Sequence, residues 1–263
     1  MKNQFDPNYN KIRESTIQFL LDNDISLVIT AKQLQLDRGT ITKWARDAGI
    51  DILPCGAKKI NETIFNNIDT EQKAYWLGFM YADGWVMDTN SVGLGLKKSD
   101  INHLYKYKSF LSYEGKLYEG KNSASLQFRN KKISVDLQRL GCIPRKSLKL
   151  TFPTTNQVPV ELVNHFIRGY FDGDGSITDP KKCSFGCTIL GTYDFLTELC
   201  NVIELPKTYN INKTKNIHSV QLAGDNARKV LSFMYDESTI YLDRKMKRYK
   251  EHIIKYSNRQ NYL

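Results

Sequence analysis

Two segments of the chain repeat one pattern: Trp76-Leu77-Gly78-Phe79-Met80-Tyr81-Ala82-Asp83-Gly84 and Ile167-Arg168-Gly169-Tyr170-Phe171-Asp172-Gly173-Asp174-Gly175. In each, a bulky apolar stretch is interrupted by a glycine, a small residue follows four places on, and Asp-Gly closes the segment. Apolar and small residues suit a buried helix, and the glycine after each aspartate suits a left-handed C-terminal cap. Each aspartate is therefore expected at the C-terminal end of its helix. The macrodipole is already negative there, so the position is unfavourable for a carboxylate. Two such carboxylates in matching contexts, 91 positions apart, point to a site built to hold cations.

From about residue 66 onward the rest of the chain falls into the same duplication. Leu104 and Leu196 stand 92 apart, Ser125-Leu126-Gln127 and Ser219-Val220-Gln221 stand 94 apart, and Arg145-Lys146 and Arg244-Lys245 stand 99 apart. An offset that drifts by small loop insertions fits two diverged copies of one supersecondary unit. The predicted order in each copy is helix, strand or hairpin, helix, strands, helix. Leu126 and Phe128 alternate with Gln127 and Arg129, and Val220 and Leu222 with Ser219 and Gln221, as in half-buried strands with a polar face outward. Gln and Arg are the side chains shaped for bidentate contact with adenine and guanine, and a major groove accepts β-strands. An ordinary solvated sheet face reads the same way.

The first fifty residues read as a small helical unit. A helix begins over Thr16–Leu21, and a second stretch, Leu27–Leu34, leads through Gln35-Leu36-Asp37 into Arg38–Ala48. Thr30, Ala31, Leu34, Leu36, Ile41 and Trp44 have helix-turn-helix spacing, with Gln35 where the turn often has Gly. Arg38, Thr40, Thr42, Lys43 and Arg46 are left for the solvent side, suited to phosphates and base edges. A three-helix packing module is the plainer alternative. Asp51–Asn67, with Pro54, Gly56, Lys58 and Lys59, reads as linker.

Bulk properties narrow the partner. The 38 Lys and Arg exceed 28 Asp and Glu, for a net charge of +10, which favours a polyanion. No run approaches the ~18 apolar residues of a membrane span, and Met1–Thr16 is polar, without a signal-peptide core. Cys55, Cys142, Cys183, Cys187 and Cys200 contain no C-x-x-C pair, which reads as free thiols in a reducing compartment. The expected location is the cytoplasm, at the nucleoid or within a phage-infected cell.

The paired segments resemble the two signature motifs of LAGLIDADG homing endonucleases in their single-chain, two-repeat form, over roughly residues 66–250. The resemblance implies an α+β fold class: two pseudo-symmetric half-domains with antiparallel saddle sheets, plus the small all-α helix-turn-helix domain. Boundaries follow at 1–50 (helix-turn-helix), 51–65 (linker), 66–153 (first half-domain) and 154–263 (second half-domain). Gly78 and Ala82, and Gly169 and Gly173, are four apart and share a helix face. That face would let the two motif helices meet at a pseudo-twofold axis. Asp83 and Asp174 would then hold Mg²⁺ or Mn²⁺ at the floor of the saddle, and each half would cleave one strand of double-stranded DNA across the minor groove, leaving short 3′ overhangs. Lys146 and Lys245 match the family's peripheral lysine region, to stabilise developing charge. Gln127 and Gln221 are second candidates, for positioning water or reading bases. Tyr81 stands where the family often has Asp, whereas Asp172 keeps it. Trp76 and Arg168 depart from the consensus, and Arg168 is expected to face solvent.

On this reading the protein is a monomer acting on a long asymmetric site, with no obligate protein partner. Met1 and the end Arg259-Gln260-Asn261-Tyr262-Leu263 suggest an intron-encoded or free-standing gene, phage-borne included, rather than an intein. Two rival functions share the fold: a catalytically inactive transcriptional regulator, from which the paired acids distinguish this chain, and an RNA maturase. A calcium loop over Asp172–Cys183 fails at its sixth and twelfth positions, Ile177 and Cys183. His103, His165, His218 and His252 are dispersed, each expected at the surface or partly packed.

Overall fold

The computed structural model describes residues 7–22, 27–50, 58–181, 184–205, 209–214 and 216–260. It divides into two compact units, Met1–Lys59 and Ile60–Leu263. Of the residues singled out above, Met1, Cys55, Cys183, Asn261, Tyr262 and Leu263 lie outside the described residues, as do residues 51–57 of the stretch read as linker.

The first unit holds α1 (Pro7–Asp22), α2 (Leu27–Leu34) and α3 (Arg38–Asp47). α1 begins nine residues before the expected start at Thr16, because the stripe it buries is narrow and partly polar. Thr16, 1% exposed, donates its hydroxyl to Ile12 O at 2.7 Å. Gln35 takes the left-handed conformation, with φ of 52°, at the turn position where Gly is common. Asp37 caps α3 by accepting from Thr40 N at 3.0 Å, the side-chain partner that a helix N-terminus requires. Ile41, Trp44 and Ala45 are buried. Trp44 Nε1 donates to Tyr9 Oη at 2.9 Å, and the two rings meet edge to face.

The second unit opens on residues stitched into it. Asn61 N donates to Leu111 O, Glu62 accepts from Asn130, and Phe65 is fully buried. Two four-stranded antiparallel sheets follow. The first has order β1-β2-β4-β3, from β1 (Gly84–Val86), β2 (Ser91–Lys97), β3 (Tyr118–Glu119) and β4 (Ser123–Arg129). The second has order β5-β6-β8-β7, from β5 (Gly175–Ile177), β6 (Gly186–Gly191), β7 (Ile211–Thr214) and β8 (Ile217–Ala223). Register matches too: Gly93 pairs with Gln127 in one sheet and Thr188 with Gln221 in the other.

Each sheet is interleaved with helices in one order. α4 (Glu71–Ala82), α5 (Ile101–Phe110) and α6 (Lys131–Arg139) serve the first; α7 (Val163–Asp174), α8 (Tyr193–Val202) and α9 (Gly224–Tyr235) serve the second, and α10 (Asp243–Gln260) follows. α4 is buried all round from Ala74 to Tyr81, the signature of a central helix. Thr70, Asn130 and Thr192 cap α4, α6 and α8. Val92, Leu94, Leu126 and Phe128 are buried, as are Cys187, Ile189, Val220 and Leu222. Gln127, Arg129 and Gln221 are exposed on the opposite faces. Ser219 departs from the expected alternation. It is only 4% exposed, and its cross-strand neighbours are Leu190 and Asn212.

Three expectations are corrected. The glycines after the aspartates are not left-handed caps: Gly84 opens β1 and Gly175, with φ of −99°, opens β5. Both are needed for close approach, since a Cβ on Gly84 would lie 2.6 Å from Met80 Cε and one on Gly175 would lie 2.6 Å from Phe171 O. Arg168 does not face solvent. It is fully buried, and donates to Ile240 O and Met234 O while pairing with Glu71 of α4 at 2.6 Å. His103 and His252 are each 2% exposed rather than at the surface. Packing against Trp76 and Phe79 desolvates His103 and pushes its pKa down to about 3, so it is neutral. His252 stacks on Phe185.

Candidate functional site

The site begins with the crossing of α4 and α7. A Cβ on Gly78 would fall within contact of the Phe166 carbonyl and 2.8 Å from Tyr170 N. One on Gly169 would strike the Tyr75 carbonyl and sit 3.0 Å from Phe79 N. Gly173 meets Ala82 in the same way, and Asp83 Oδ2 lies 3.3 Å from where the Gly173 Cβ would be. Backbone touching backbone along this face brings both helix ends together. Asp83 is the C-cap of α4 and Asp174 the last residue of α7, so the two carboxylates converge.

Both carboxylates are half-buried. Among the described residues no hydrogen-bond donor is paired with either. Burial, and then the charge of Asp174, push the Asp83 pKa up to about 6, against the pull of Lys245, Lys146 and Arg244. Burial likewise raises Asp174, opposed by Lys146 and Lys245. Two like charges held together in a partly desolvated place resist joint ionisation.

The two lysines of the repeated Arg-Lys pair reach this floor from behind. Lys146 donates to Ala82 O at 3.2 Å and Gly84 O at 2.7 Å. Lys245 donates to Phe171 O at 2.5 Å and Asp172 O at 2.8 Å. Each ammonium thus satisfies carbonyls left open where a motif helix ends. Both are buried, and desolvation brings Lys245 down to about 8. The preceding arginines diverge. Arg145 is exposed beside Asp88, whereas Arg244 bonds Asp100 of the first repeat at 2.9 Å.

Asp172 and Tyr81, at the same place in the two motifs, do different jobs. Tyr81 donates to Leu140 O at 2.5 Å. Asp172, 1% exposed, accepts from Tyr75 Oη at 2.8 Å, Tyr235 Oη at 2.5 Å and Leu242 N at 2.7 Å. Tyr75 Oη is also 2.8 Å from His103 Nε2. This cluster ties α4, α5, α7 and the segment before α10 together, and leaves Asp172 no free oxygen. Sequence reasoning missed it because its bonded partners lie 28 to 97 positions apart. It also missed Trp85. The available signal was Gly93 and Gly95 alternating with Val92, Leu94 and Leu96, since strand glycines mark close approach of another group.

The remaining predicted residues are placed as follows. Gln127 and Arg129 share the outer face of the first sheet, with Gln127 Nε2 donating to Ser91 Oγ at 2.9 Å; Gln221 lies on the outer face of the second. In the first unit Arg38, Lys43 and Arg46 are exposed, and Thr40 and Thr42 half-buried. The Thr42 hydroxyl donates to Arg38 O.

Among the described residues no group of three or more His, Cys, Asp or Glu side chains is placed to enclose a metal ion. The Asp83–Asp174 pair suits a small hard cation instead, one held by two carboxylates and completed by water and phosphate oxygens. No helix among the described residues is long and apolar enough to cross a membrane.

No protein-family profile matches the chain, and no curated protein matches it by sequence. Its fold is that of LAGLIDADG meganucleases. The meganuclease I-AabMI bound to uncleaved DNA aligns with a TM-score of 0.50 at 12% identity, over 72% of this chain and 91% of that one. I-SmaMI bound to uncleavable DNA aligns with a TM-score of 0.50 at 11% identity, over 73% and 92%.

Proposed function

We propose that the protein is a site-specific double-strand DNA endonuclease, a monomer whose two repeats form pseudo-symmetric halves around α4 and α7. One observation carries the reading: two carboxylates with no hydrogen bond among the described residues converge from equivalent helix ends, backed by two buried ammonium groups. A protein gains no stability from such a pair: burial raises the pKa of both carboxyls, and the charge of Asp174 raises Asp83 further. A divalent cation held by the pair would relieve the repulsion.

In this mechanism Asp83 and Asp174 would hold Mg²⁺ or Mn²⁺. A divalent ion there would supply activation of a water and stabilisation of the departing oxygen. The glycine face of α4 and α7 holds the carboxylates at fixed separation. Lys146 and Lys245 anchor the helix ends and supply the positive field toward the scissile phosphates. Duplex DNA lies along the outer sheet faces, where Gln127, Arg129 and Gln221 meet base edges. The first unit extends the footprint through Arg38, Thr40, Thr42, Lys43 and Arg46, the exposed part of a helix-turn-helix. The net charge of +10 suits that polyanion, and the place of action is wherever the cell keeps its DNA.

The test is incubation with randomised duplex DNA and Mg²⁺, then sequencing of cut ends. Paired cuts at one enriched sequence are expected. Asp83→Asn and Asp174→Asn should each abolish double-strand cleavage and leave binding intact. A variant that still cuts both strands overturns the metal assignment. Selective binding with no cut at any sequence establishes the regulator instead.

A further inference from the structure

The two sheets share order and register, yet their outer faces differ chemically beside the aspartates. In the first, Trp85 pairs with Gly93, which pairs with Gln127, so the three form one cross-strand row. In the second the same row is Ser176, Thr188 and Gln221. Trp85 stands two residues after Asp83, as Ser176 stands two after Asp174.

The indole lies against β2 over two glycines. A Cβ on Gly93 would fall 2.9 Å from Trp85 Cη2, with two other ring atoms nearer still, and one on Gly95 would fall 3.4 Å from Cζ3. Any side chain at Gly93 would lift the ring off the sheet. Trp85 Nε1 is buried without a hydrogen-bond partner among the described residues, so its side-chain donor is turned in. The ring itself remains partly exposed, on the same face as the exposed Gln127. What it offers outward is carbon. The second half offers two hydroxyls and an amide at the matching place.

We propose that Trp85 is a specificity-determining residue of the first half. It reads the base pair against its ring by apolar contact with a pyrimidine 5-methyl group, and so selects thymine there. The second half reads the corresponding pair by hydrogen bonds. The thymine methyl is the apolar group that a base pair presents in the major groove. A ring lying flat on a sheet meets stacked bases at their edges rather than between them. The inference rests on the DNA-binding reading above.

Binding selection from randomised duplexes, run with Ca²⁺ so that binding alone is read, tests it with wild type, Trp85→Ser and Trp85→Phe. Wild type and Trp85→Phe should enrich thymine at one position, or two adjacent ones, on one side of the site only. Trp85→Ser should lose that preference and keep the rest of the sequence. Replacing the selected thymine by deoxyuridine, which lacks only the methyl, should weaken wild-type binding about fourfold, the burial of one methyl-sized group, and leave Trp85→Ser unchanged. Thermal melts confirm that the variants are folded. Identical enriched sequences for wild type and Trp85→Ser, or wild-type indifference to deoxyuridine, overturn the role of Trp85 and leave the DNA reading intact. No selective binding by any of the three overturns both.

Discussion

Replacing Asp83 by Asn should stabilise the metal-free protein, most strongly at neutral pH and above. The folded carboxyl has a pKa of about 6 against an ordinary 3.8, so between those values the native state binds the proton more tightly than the unfolded chain. Stability therefore falls as pH rises through this window, and above about pH 6 the charged native carboxylate carries its full cost. A shift of about 2 units is roughly 3 kcal/mol, and solvent screening at a half-buried site reduces it to on the order of 2 kcal/mol. Asn removes the charge while keeping the shape. In urea melts with chelator at pH 7.5, Asp83→Asn should gain on the order of 2 kcal/mol, or roughly 4–8 °C in Tm for a unit this size. At pH 4.5 the wild-type group is already largely protonated in the native state while the unfolded chain is still mostly ionised, so the gain should shrink to roughly a third, and it should vanish only below the ordinary pKa of 3.8. Asp83→Asn combined with Asp174→Asn should gain less than the sum, because both remove one repulsion. Mg²⁺ should stabilise wild type and not Asp83→Asn. A variant no more stable than wild type at pH 7.5, or a gain equally large at pH 4.5, would refute the assignment of a repelling carboxylate pair.

The helix crossing gives a second expectation. Gly169→Ala, whose Cβ would sit 2.8 Å from Tyr75 C and 3.0 Å from Phe79 N, should cost about 3 kcal/mol or more in urea melts, whereas Gly95→Ala, with ordinary contacts at 3.4 Å and beyond, should change stability by less than about 1 kcal/mol; equal effects would contradict backbone contact at the crossing. In the first unit, Lys43→Ala and Arg46→Ala should each weaken DNA binding at every sequence and lower the salt slope by about 1, and filter-binding titrations showing unchanged affinity for both would remove that unit from the interface.

What could be read from the chain was whatever local chemistry dictates. The alternation around Leu126 and Val220 fixes which strand face is buried. The polar stretch ahead of Thr16 hid the start of α1 because a helix burying so narrow a stripe leaves little periodicity. Arg168 was misread for a related reason. A guanidinium reads as a surface group unless its partners are known, and Glu71, Met234 and Ile240 lie 66 to 97 positions away.

The sequence alone therefore determined the duplication, the aspartates at two helix ends and the small-residue face that lets those helices meet, because these follow from periodicity and side-chain volume within a few turns. Only the tertiary structure decided the rest. It spent Asp172 on two tyrosines and a backbone amide, turned Lys146 and Lys245 onto helix-end carbonyls, and laid Trp85 across glycines of the next strand. Each is a contact between groups distant in the chain, and burial sets both the partner and the charge state. The repeat fixes where two carboxylates stand; the fold decides that they stand together and that no hydrogen-bond donor among the described residues bonds them.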